Sequence, residues 1–355
     1  MWMLLLLIVV AGLFILERRS MKNIFLGISY DIQPSRSMVE VDEEFFLEST
    51  ITNSKGIPIT SLQTGEFMPK EIAFSDKRNQ LTTIQSGIAM VSNAYVMPRK
   101  NLVRRIRVSL PRRGRYHFHG ATLTAGSLLG LSTKEENVRF IREVILPPKP
   151  FQSVELEKML ATYLGDVSVT RFILEDPILT VGFREYTGRE PMRSISWKQT
   201  ATVGKLMVKN YDHTLDLTVT VILNVNTLNQ NYKESFETLF SMTRSVCEFL
   251  ETMKTPYRFV TNVTTNNDIN HKSVIPDGLG GSHLATVMEL LARATYNYYD
   301  NFVEMIAKVA RGAEQGRSHI LLTPEVPQEV EPFLRKLRAR TGREILILTP
   351  ETKQG

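Results

Sequence analysis

The feature that most constrains the fold is a short apolar run in the second half of the chain. Residues 218–225 read TVTVILNV, so β-branched and aliphatic side chains follow one another with little alternation. A strand of this composition is typical of parallel sheets, in which helices cover both faces of the sheet. The run therefore predicts a sheet buried between two helical layers.

Segments of helix and strand character alternate after this run. Apolar residues recur at helical spacing between residues 236 and 250. We expect strands over 257–263, 318–323 and 344–348, and helices over 282–291, 297–310 and 326–340. This alternation predicts a doubly wound, Rossmann-type α/β domain over residues 216–350 with a mostly parallel sheet. Ligands of such domains bind beyond the carboxyl ends of the strands, here after Val225 and Thr323.

The first part of the chain has the pattern of an antiparallel sheet. Segments of strand character, without a helical period, alternate with turn residues. We expect strands over 24–32, 44–52, 102–110, 116–123 and 138–146. This spacing predicts an immunoglobulin-like β-sandwich over residues 20–150, ended by prolines at 147, 148 and 150. Residues 151–215 would join it to the α/β domain, and residues 351–355 would form a tail, so the predicted fold class is α+β multidomain.

The N-terminal residues 1–16, MWMLLLLIVVAGLFIL, carry no charged side chain. A membrane-spanning helix takes about 20 apolar residues. A cleaved signal peptide would have basic residues before the apolar run, whereas Arg18, Arg19 and Lys22 follow it here. Basic residues that follow a span tend to stay in the cytoplasm. We therefore predict a transmembrane anchor over residues 1–19 and a single-pass protein of the cell membrane, with its soluble domains on the cytoplasmic side.

Composition narrows the function classes. Hydrophobic residues make up 43% of the 355 residues and charged ones 23%, which suffices for about two domains with packed cores. A formal charge of +6 suits an anionic membrane surface or an acidic partner, but it is too small to predict nucleic-acid binding. Cys247 is the single cysteine, which excludes an internal disulfide and a metal cluster of several cysteines.

The stretch 181–209 is dense in arginine, glycine and aromatic residues. Its candidate partner-docking residues are Arg184, Tyr186, Arg189, Arg193, Trp197 and Lys198. Two interpretations remain open. The guanidinium groups either pair with carboxylates such as Glu185 and Glu190 and brace the fold, or they form a docking surface together with the aromatic rings.

A second concentration of cationic side chains lies in the first domain. Its basic residues are Arg99, Lys100, Arg104, Arg105, Arg107, Arg112, Arg113 and Arg115. They are consistent with a solvated strand face, or with docking to anionic headgroups or an acidic partner. His117 and His119 would share one face of a strand, but a metal site needs a third ligand and none is evident nearby.

Three segments carry a family resemblance. They are residues 183–186 (FREY) with Gly188, Arg193, Ile195, Trp197 and Lys198 after them, residues 113–116 (RGRY) with Gly130 and Leu131 further on, and residues 280–283 (GGSH) at the start of a predicted helix. Together they resemble the domain-of-unknown-function family 58, a bacterial and archaeal group related to von Willebrand factor A domains. The resemblance runs from the anchor to the last strand.

The resemblance implies a von Willebrand A-like α/β domain and a protein that is not an enzyme. It also implies a MoxR-type AAA+ ATPase as partner, together with other membrane proteins, and a role in the assembly or maturation of protein complexes. No cofactor is expected. The α/β domain would present its strand-end loops to the partner, while the sandwich holds it near the membrane.

The chain departs from the family where metal-binding relatives have their ligands. Those relatives carry the pattern D-x-S-x-S after the first strand of the α/β domain, and residues 224–228 read NVNTL here. Asn224 lacks the carboxylate charge, Asn226 lacks a hydroxyl group and Leu228 has no ligand atom, so a hard divalent cation finds no suitable oxygen ligands. The family's aspartate after the glycine is also replaced, by Arg189. The resemblance therefore implies the fold without the metal.

Two other functions remain open. A hydrolase-type enzyme of unknown substrate would use Asp212, His213 or Ser282, and it requires that these side chains converge in one pocket. No G-x-S-x-G or H-E-x-x-H motif supports it. An adhesion module would work on the outer side of the envelope, and the missing metal carboxylate and the predicted topology both disfavour it.

Overall fold

The chain forms two compact units. The structure is a computed structural model, and it describes residues 2–76, 80–84, 87–127, 131–173, 180–188, 192, 195–211, 217–227, 232–265 and 273–350. One unit comprises Met1–Lys149 with Met288–Arg293, and we call it the sandwich unit. The other comprises Pro150–Val287 with Ala294–Gly355, and we call it the α/β unit.

The sandwich unit begins with helix α1, Trp2–Lys22. The transmembrane anchor predicted over residues 1–19 falls on this helix. Apolar side chains such as Trp2, Leu6 and Phe14 are exposed along it, and charged residues occupy its last two turns. In the described part of the chain, no helix combines the length and the apolar character that crossing a membrane requires.

Two antiparallel sheets form the rest of the sandwich unit. Its described strands are β1 Ile28–Pro34, β2 Phe45–Asn53, β3 Ile59–Met68, β4 Ala73–Phe74, β5 Gln80–Ile84, β6 Gly87–Val96, β7 Lys100–Ser109, β8 Gly114–Gly126 and β9 Thr133–Leu146. The strand orders are β1-β2-β7-β4 and β5-β6-β3-β8-β9. Alternate residues of β2, from Phe45 to Asn53, are buried, because side chains along a strand project to opposite faces. The predicted antiparallel β-sandwich is confirmed.

A buried polar network links the two sheets. Glu66 on β3 is almost inaccessible, and its Oε1 accepts hydrogen bonds from the Tyr30 hydroxyl at 2.5 Å and the Ser49 hydroxyl at 2.9 Å, both on the other sheet. The Arg104 guanidinium on β7 pairs with the same carboxylate. Burial and the neighbouring carboxylate raise the pKa of Tyr30, so its hydroxyl keeps its proton. These partners replace the water that Oε1 of the buried carboxylate loses.

Helices and strands alternate in the α/β unit. The described helices that begin in it are α2 Val154–Ile173, α3 Trp197–Val203, α4 Tyr232–Thr252, α5 Gly281–Arg293, α6 Phe302–Arg311 and α7 Glu331–Thr341. Its described strands are β10 Thr180–Glu185, β11 Met207–Tyr211, β12 Val219–Leu223, β13 Tyr257–Thr261, β14 Val263–Thr265, β15 Val274–Gly278, β16 Ala294–Tyr298, β17 Ser318–Leu322 and β18 Ile345–Leu348.

The main sheet of this unit has the order β15-β13-β12-β17-β18. Strands β13, β12, β17 and β18 are parallel, and β15 is antiparallel to β13 at the edge. Strands β12 and β17 are buried along their whole length. Helix α4 packs on both of them, while Ile222 and Leu321 join a core with α6 and α7. The α/β class and the two-sided cover predicted from the run 218–225 are therefore confirmed.

The start of α6 differs from the prediction. The helix predicted over 297–310 begins only at Phe302, since β16 extends to Tyr298. The Asn301 side chain then caps the helix by accepting a hydrogen bond from the Glu304 amide at 2.8 Å. The aromatic residues at 296–299 therefore belong to a strand and a turn, and the helix is shorter than expected.

Helix α2 lies in the region predicted to join the two domains. Its Tyr163 hydroxyl lies within hydrogen-bond distance of the carbonyl oxygens of His319, at 3.1 Å, and of Glu344, at 2.8 Å. It also accepts a hydrogen bond from the His319 amide at 3.1 Å. One hydroxyl thus ties α2 to the amino ends of β17 and β18.

Candidate functional site

The stretch 181–209 folds into a small module, which we call the docking module. Strand β10 pairs with β11 in an antiparallel ladder that sets Arg184 opposite Val208, and α3 lies between them in sequence. Gly204 ends α3 with a φ of 74°, a left-handed conformation that favours glycine. Ile195 and Val208 are buried and form an isolated β-bridge. These two apolar residues therefore anchor the module from inside.

Large apolar side chains of the docking module are exposed. Trp197 is 62% exposed, Phe183 43% and Met192 68%. No residue of α3 is buried. Large apolar groups left in water are typical of interaction sites, particularly when polar groups surround them. The module therefore combines buried anchors with exposed large apolar side chains.

The predicted docking residues have different environments. Arg184 and Lys198 are exposed, whereas Tyr186 is half-buried. Arg189 and Arg193 lie outside the described residues. Glu185, which the bracing interpretation assigned to an arginine, pairs with Lys205 at 2.7 Å, and both side chains are exposed. Ion pairs of this kind contribute little to stability, so this contact does not make the module a brace.

A second candidate site lies at the carboxyl ends of the main sheet. The chain passes from β12 to β13 on one side and later returns to β17 on the other side of β12. In doubly wound sheets such a change of direction opens a crevice in which ligands bind. The positions predicted after Val225 and Thr323 follow β12 and β17, at this point of the sheet.

Three buried polar side chains meet there, Asn224, Asn262 and Thr323, which we call the amide cluster. Asn224 Oδ1 accepts hydrogen bonds from Asn262 Nδ2 at 2.8 Å and from the Asn226 amide at 3.0 Å. Its Nδ2 donates to Thr323 Oγ1 at 3.0 Å and to Asn226 O at 3.1 Å. A side-chain amide has two acceptor and two donor positions, so Asn224 is saturated. The Asn262 side chain also accepts from the Val225 amide at 3.0 Å, and the cluster thereby ties three strand ends together.

The amide cluster does not fit a divalent metal ion. Asn224 has no lone pair left for a ligand, and Leu228 lies outside the described residues. Glu325, which follows β17, accepts a hydrogen bond from Thr227 Oγ1 at 2.7 Å. Within the described residues, no group of three or more His, Cys, Asp or Glu side chains is arranged to hold a metal ion.

The structure places one of the three residues proposed for a hydrolase. Ser282 is exposed at the start of α5, whereas Asp212 and His213 lie outside the described residues. His283, which follows Ser282, packs its ring edge-to-face on the buried Tyr257 with 4.6 Å between the centroids. His283 therefore has a packing role, and the hydrolase interpretation stays a prediction.

The basic cluster of the sandwich unit is paired with carboxylates in several places. Arg105 pairs with Glu48 at 2.6 Å, its partner in register on β2. Arg107 lies 3.5 Å from Glu44, the residue before β2. Pairing of arginines with carboxylates across neighbouring strands, as in Arg105 and Glu48, is the arrangement expected of a solvated strand face.

A charged network that no local sequence pattern marks lies in the α/β unit. Asp277 on β15 accepts hydrogen bonds from Arg258 Nη2 at 2.8 Å and from Arg317 Nη1 at 2.7 Å. Burial raises the pKa of Asp277, but the two guanidinium groups lower it more, so the net pKa lies below its ordinary value. Nearby, burial lowers the pKa of His319 to about 4. These residues come from three separate segments, which is why spacing along the chain does not reveal them.

No protein-family model matches the chain, and no curated protein matches it. Among solved structures, the CARDB domain of a Pyrococcus furiosus protein in complex with di-metal ions is 14% identical, covering 34% of this chain and 91% of that one at a TM-score of 0.23. A cohesin module from a Clostridium perfringens family 33 glycoside hydrolase is 14% identical, with 34% and 96% covered and a TM-score of 0.25. The sporulation control protein Spo0M from Bacillus subtilis is 10% identical, with 45% and 58% covered and a TM-score of 0.20. Likenesses this weak carry no argument about function.

Proposed function

We propose that this chain is a non-enzymatic interaction protein of the domain-of-unknown-function family 58 type, whose docking module binds a MoxR-type AAA+ ATPase. The observation that carries the proposal is the exposure of Trp197, Phe183 and Met192 in a module with buried anchors. Tryptophan is among the residues that contribute most to binding at interfaces. The exposed basic side chains of Arg184 and Lys198 favour a partner with an acidic surface.

In this proposal the α/β unit is von Willebrand A-like and binds without a metal ion. The parallel order β13-β12-β17-β18 supports it, as does the position of the amide cluster where the chain changes direction. The cluster holds the loops after β12 and β17 by hydrogen bonds between neutral groups. The described residues at the start of these loops would therefore keep one conformation when a partner binds.

We also propose that helix α1 associates with the cell membrane and keeps both units on the cytoplasmic side. Leu7, Val10 and Ile15 are exposed on it, and lipid would remove them from water. The Arg18 guanidinium lies 5.4 Å over the Phe14 ring, near the end of the helix. A basic group in this place suits contact with anionic headgroups. Membrane proteins that the ATPase acts on would then lie within reach.

The proposal is tested by recovering the ATPase from crosslinked membranes with the tagged full-length chain. We expect Trp197→Ala and Arg184→Ala each to lower the recovery about tenfold, as loss of an interface hot spot does. The urea midpoint should stay unchanged, because an exposed side chain contributes little to the free energy of unfolding.

The matched control is Val208→Ala in the same module. Val208 is buried, so its truncation should lower the free energy of unfolding by about 1–3 kcal/mol and leave the recovery of the ATPase unchanged under folding conditions. If Trp197→Ala instead destabilises the chain like Val208→Ala and does not change the recovery, the stretch braces the fold and the proposal is wrong.

A further inference from the structure

A small cavity lies beside α6 within the α/β unit. Its volume is about 170 Å³. Pockets for drug-sized ligands measure about 300–1,000 Å³, and a water molecule takes ~30 Å³ in the liquid. The cavity therefore admits a small ligand such as a short-chain acid and excludes a nucleotide.

Three polar side chains form a row along one wall of this cavity. Arg258, Thr220 and His319 are partners in register across β13, β12 and β17, so they project from the same face of the sheet. The next row on this face contains Val260 and Ile222, which belong to the apolar core under α6 and α7. A buried polar row costs free energy unless its groups find partners, and this one adjoins an open volume.

The guanidinium of Arg258 is held in place without being saturated. Its Nη2 donates to Asp277 Oδ2 at 2.8 Å and lies 3.8 Å from Glu314 Oε1. Within the described ranges, no hydrogen bond engages its Nε or Nη1, nor the Thr220 hydroxyl. Arg317, in contrast, uses all three of its nitrogens on Asp277 and Glu314. Asp277 thus positions Arg258 and leaves donors of that residue available to a ligand.

Charge and apolar surface are both present around the cavity. The cations that line it are Arg258, Arg317 and Lys308, and each has a carboxylate partner. Asp300 pairs with Lys308, and Asp277 pairs with both arginines, so the donors that a ligand would use are those that Asp277 leaves open on Arg258. Burial keeps the nearby His319 uncharged at neutral pH, because its pKa is about 4. The apolar lining residues are Val260, Val274, Met305, Val309 and Ala313. This combination suits a ligand with one negative group and a short hydrocarbon part.

We propose that the cavity binds a small monocarboxylate with a short aliphatic body. The carboxylate accepts hydrogen bonds from Arg258 and Thr220, and the aliphatic part packs against the α6 residues Met305 and Val309. An Arg–carboxylate contact provides direction as well as affinity. None of the described docking residues lines this cavity, so the proposed site can be tested independently of the proposed docking function.

Isothermal titration calorimetry of the full-length chain tests the proposal with three probes. Hexanoate has both the charge and the aliphatic body, hexan-1-ol has only the body, and inorganic phosphate has only the charge. We expect saturable binding of hexanoate at one site, and affinities at least about tenfold lower for the other two probes. Equal affinity for hexan-1-ol would show a merely apolar cavity, and equal affinity for phosphate a simple anion site; either result overturns the proposal.

Two variants and a control locate the binding. Arg258→Gln should lower the hexanoate affinity at least about tenfold. Arg311→Gln removes the same charge from an exposed position on α6 outside the cavity lining and should leave the affinity unchanged. Because Arg258→Gln also frees Asp277, Val309→Phe serves as a second variant that fills the cavity and leaves the charged network intact. Absence of hexanoate binding to the wild type, or unchanged binding in the folded variants, contradicts the proposal.

Discussion

At the scale of residues, the amide cluster depends on the donor groups of one side chain. Asn224 Nδ2 donates to Thr323 Oγ1 and to Asn226 O. A carboxylate oxygen in that place would face the carbonyl oxygen of Asn226 and would carry a charge without water around it. We therefore expect Asn224→Asp to lower the free energy of unfolding at neutral pH by about 2–4 kcal/mol in urea denaturation.

The same variant tests whether the cluster tolerates a metal ion. The destabilisation should shrink in acid, because protonation removes the buried charge and burial raises the pKa of such a carboxyl. Asn297→Asp makes the same chemical change at an exposed position and should alter stability by less than about 0.5 kcal/mol. If Mg²⁺ restored the stability of Asn224→Asp, the cluster would be a metal site that has lost only its charge.

His319 makes stability depend on pH. Burial lowers its pKa to about 4 in the folded chain, whereas an unfolded histidine titrates near ~6.5. Between these values the unfolded chain binds a proton that the folded chain lacks, so stability falls as the pH decreases through this window. This difference between the folded and unfolded pKa values corresponds to about 3 kcal/mol in the free energy of unfolding.

This contribution can be isolated with His319→Gln. Between pH ~7 and ~4 the wild type should lose about 3 kcal/mol more than the variant, because glutamine does not titrate. Urea denaturation at both pH values measures the difference. Parallel losses in the two proteins would mean that His319 gains its proton without unfolding, and that its surroundings are better hydrated than the structure indicates.

At the scale of elements, the Tyr163 hydroxyl ties α2 to the main sheet. Tyr163→Phe removes the group that contacts His319 and Glu344 and leaves their main-chain groups without it. We expect a loss of about 1–2 kcal/mol in the free energy of unfolding. Tyr298→Phe, on an exposed ring of β16, should cost almost nothing. Equal effects of the two changes in urea denaturation would rule out this role of the Tyr163 hydroxyl.

Some elements were predictable from local pattern and others were not. The strand in residues 218–225 was predictable because burial on both faces leaves its mark in composition alone. The start of α6 was not, because β16 pairs with β14 and sets Tyr298 opposite Val263, a contact that no local period contains. The residues of the amide cluster also differ in whether the sequence could predict their positions. Asn224 and Thr323 follow predicted strands, whereas the role of Asn262 depends on where β13 lies in the sheet.

At the scale of the whole molecule, the two fold classes are predicted mainly by the change of hydrophobic periodicity near residue 150. Alternation with a period of two before it and helical spacing after it predict two fold classes, and the two units belong to those classes. The charged network around Asp277 could not be predicted from the sequence, since it joins β13, β15 and the residue before β17, which are separated along the chain. Fold class follows from periodicity, whereas a site follows from positions that only the folded sheet brings together.

Helix α1 should bind the membrane without contributing to the stability of the two units. Deletion of residues 2–16 keeps Glu17, which accepts a hydrogen bond from Ser132 at 3.2 Å, and the buried Ile24 and Phe25. We expect the shortened chain to lose cosedimentation with anionic vesicles while its urea midpoint stays unchanged, since the deleted segment exposes most of its described side chains. Cosedimentation that survives the deletion would assign membrane contact to another surface.

The carboxylate of Glu66 has a consequence for the path by which the sandwich unit folds. Slipping β3 by two residues would still turn apolar side chains inward, because a strand repeats every two residues. It would also carry Glu66 away from Tyr30, Ser49 and Arg104 and leave a charge buried without partners, at a cost of several kcal/mol. A sheet that forms with β3 in the wrong register should therefore dissociate faster than it packs against the other sheet. The polar network would thus select the native register of β3 during folding, before the chain binds a partner or a membrane.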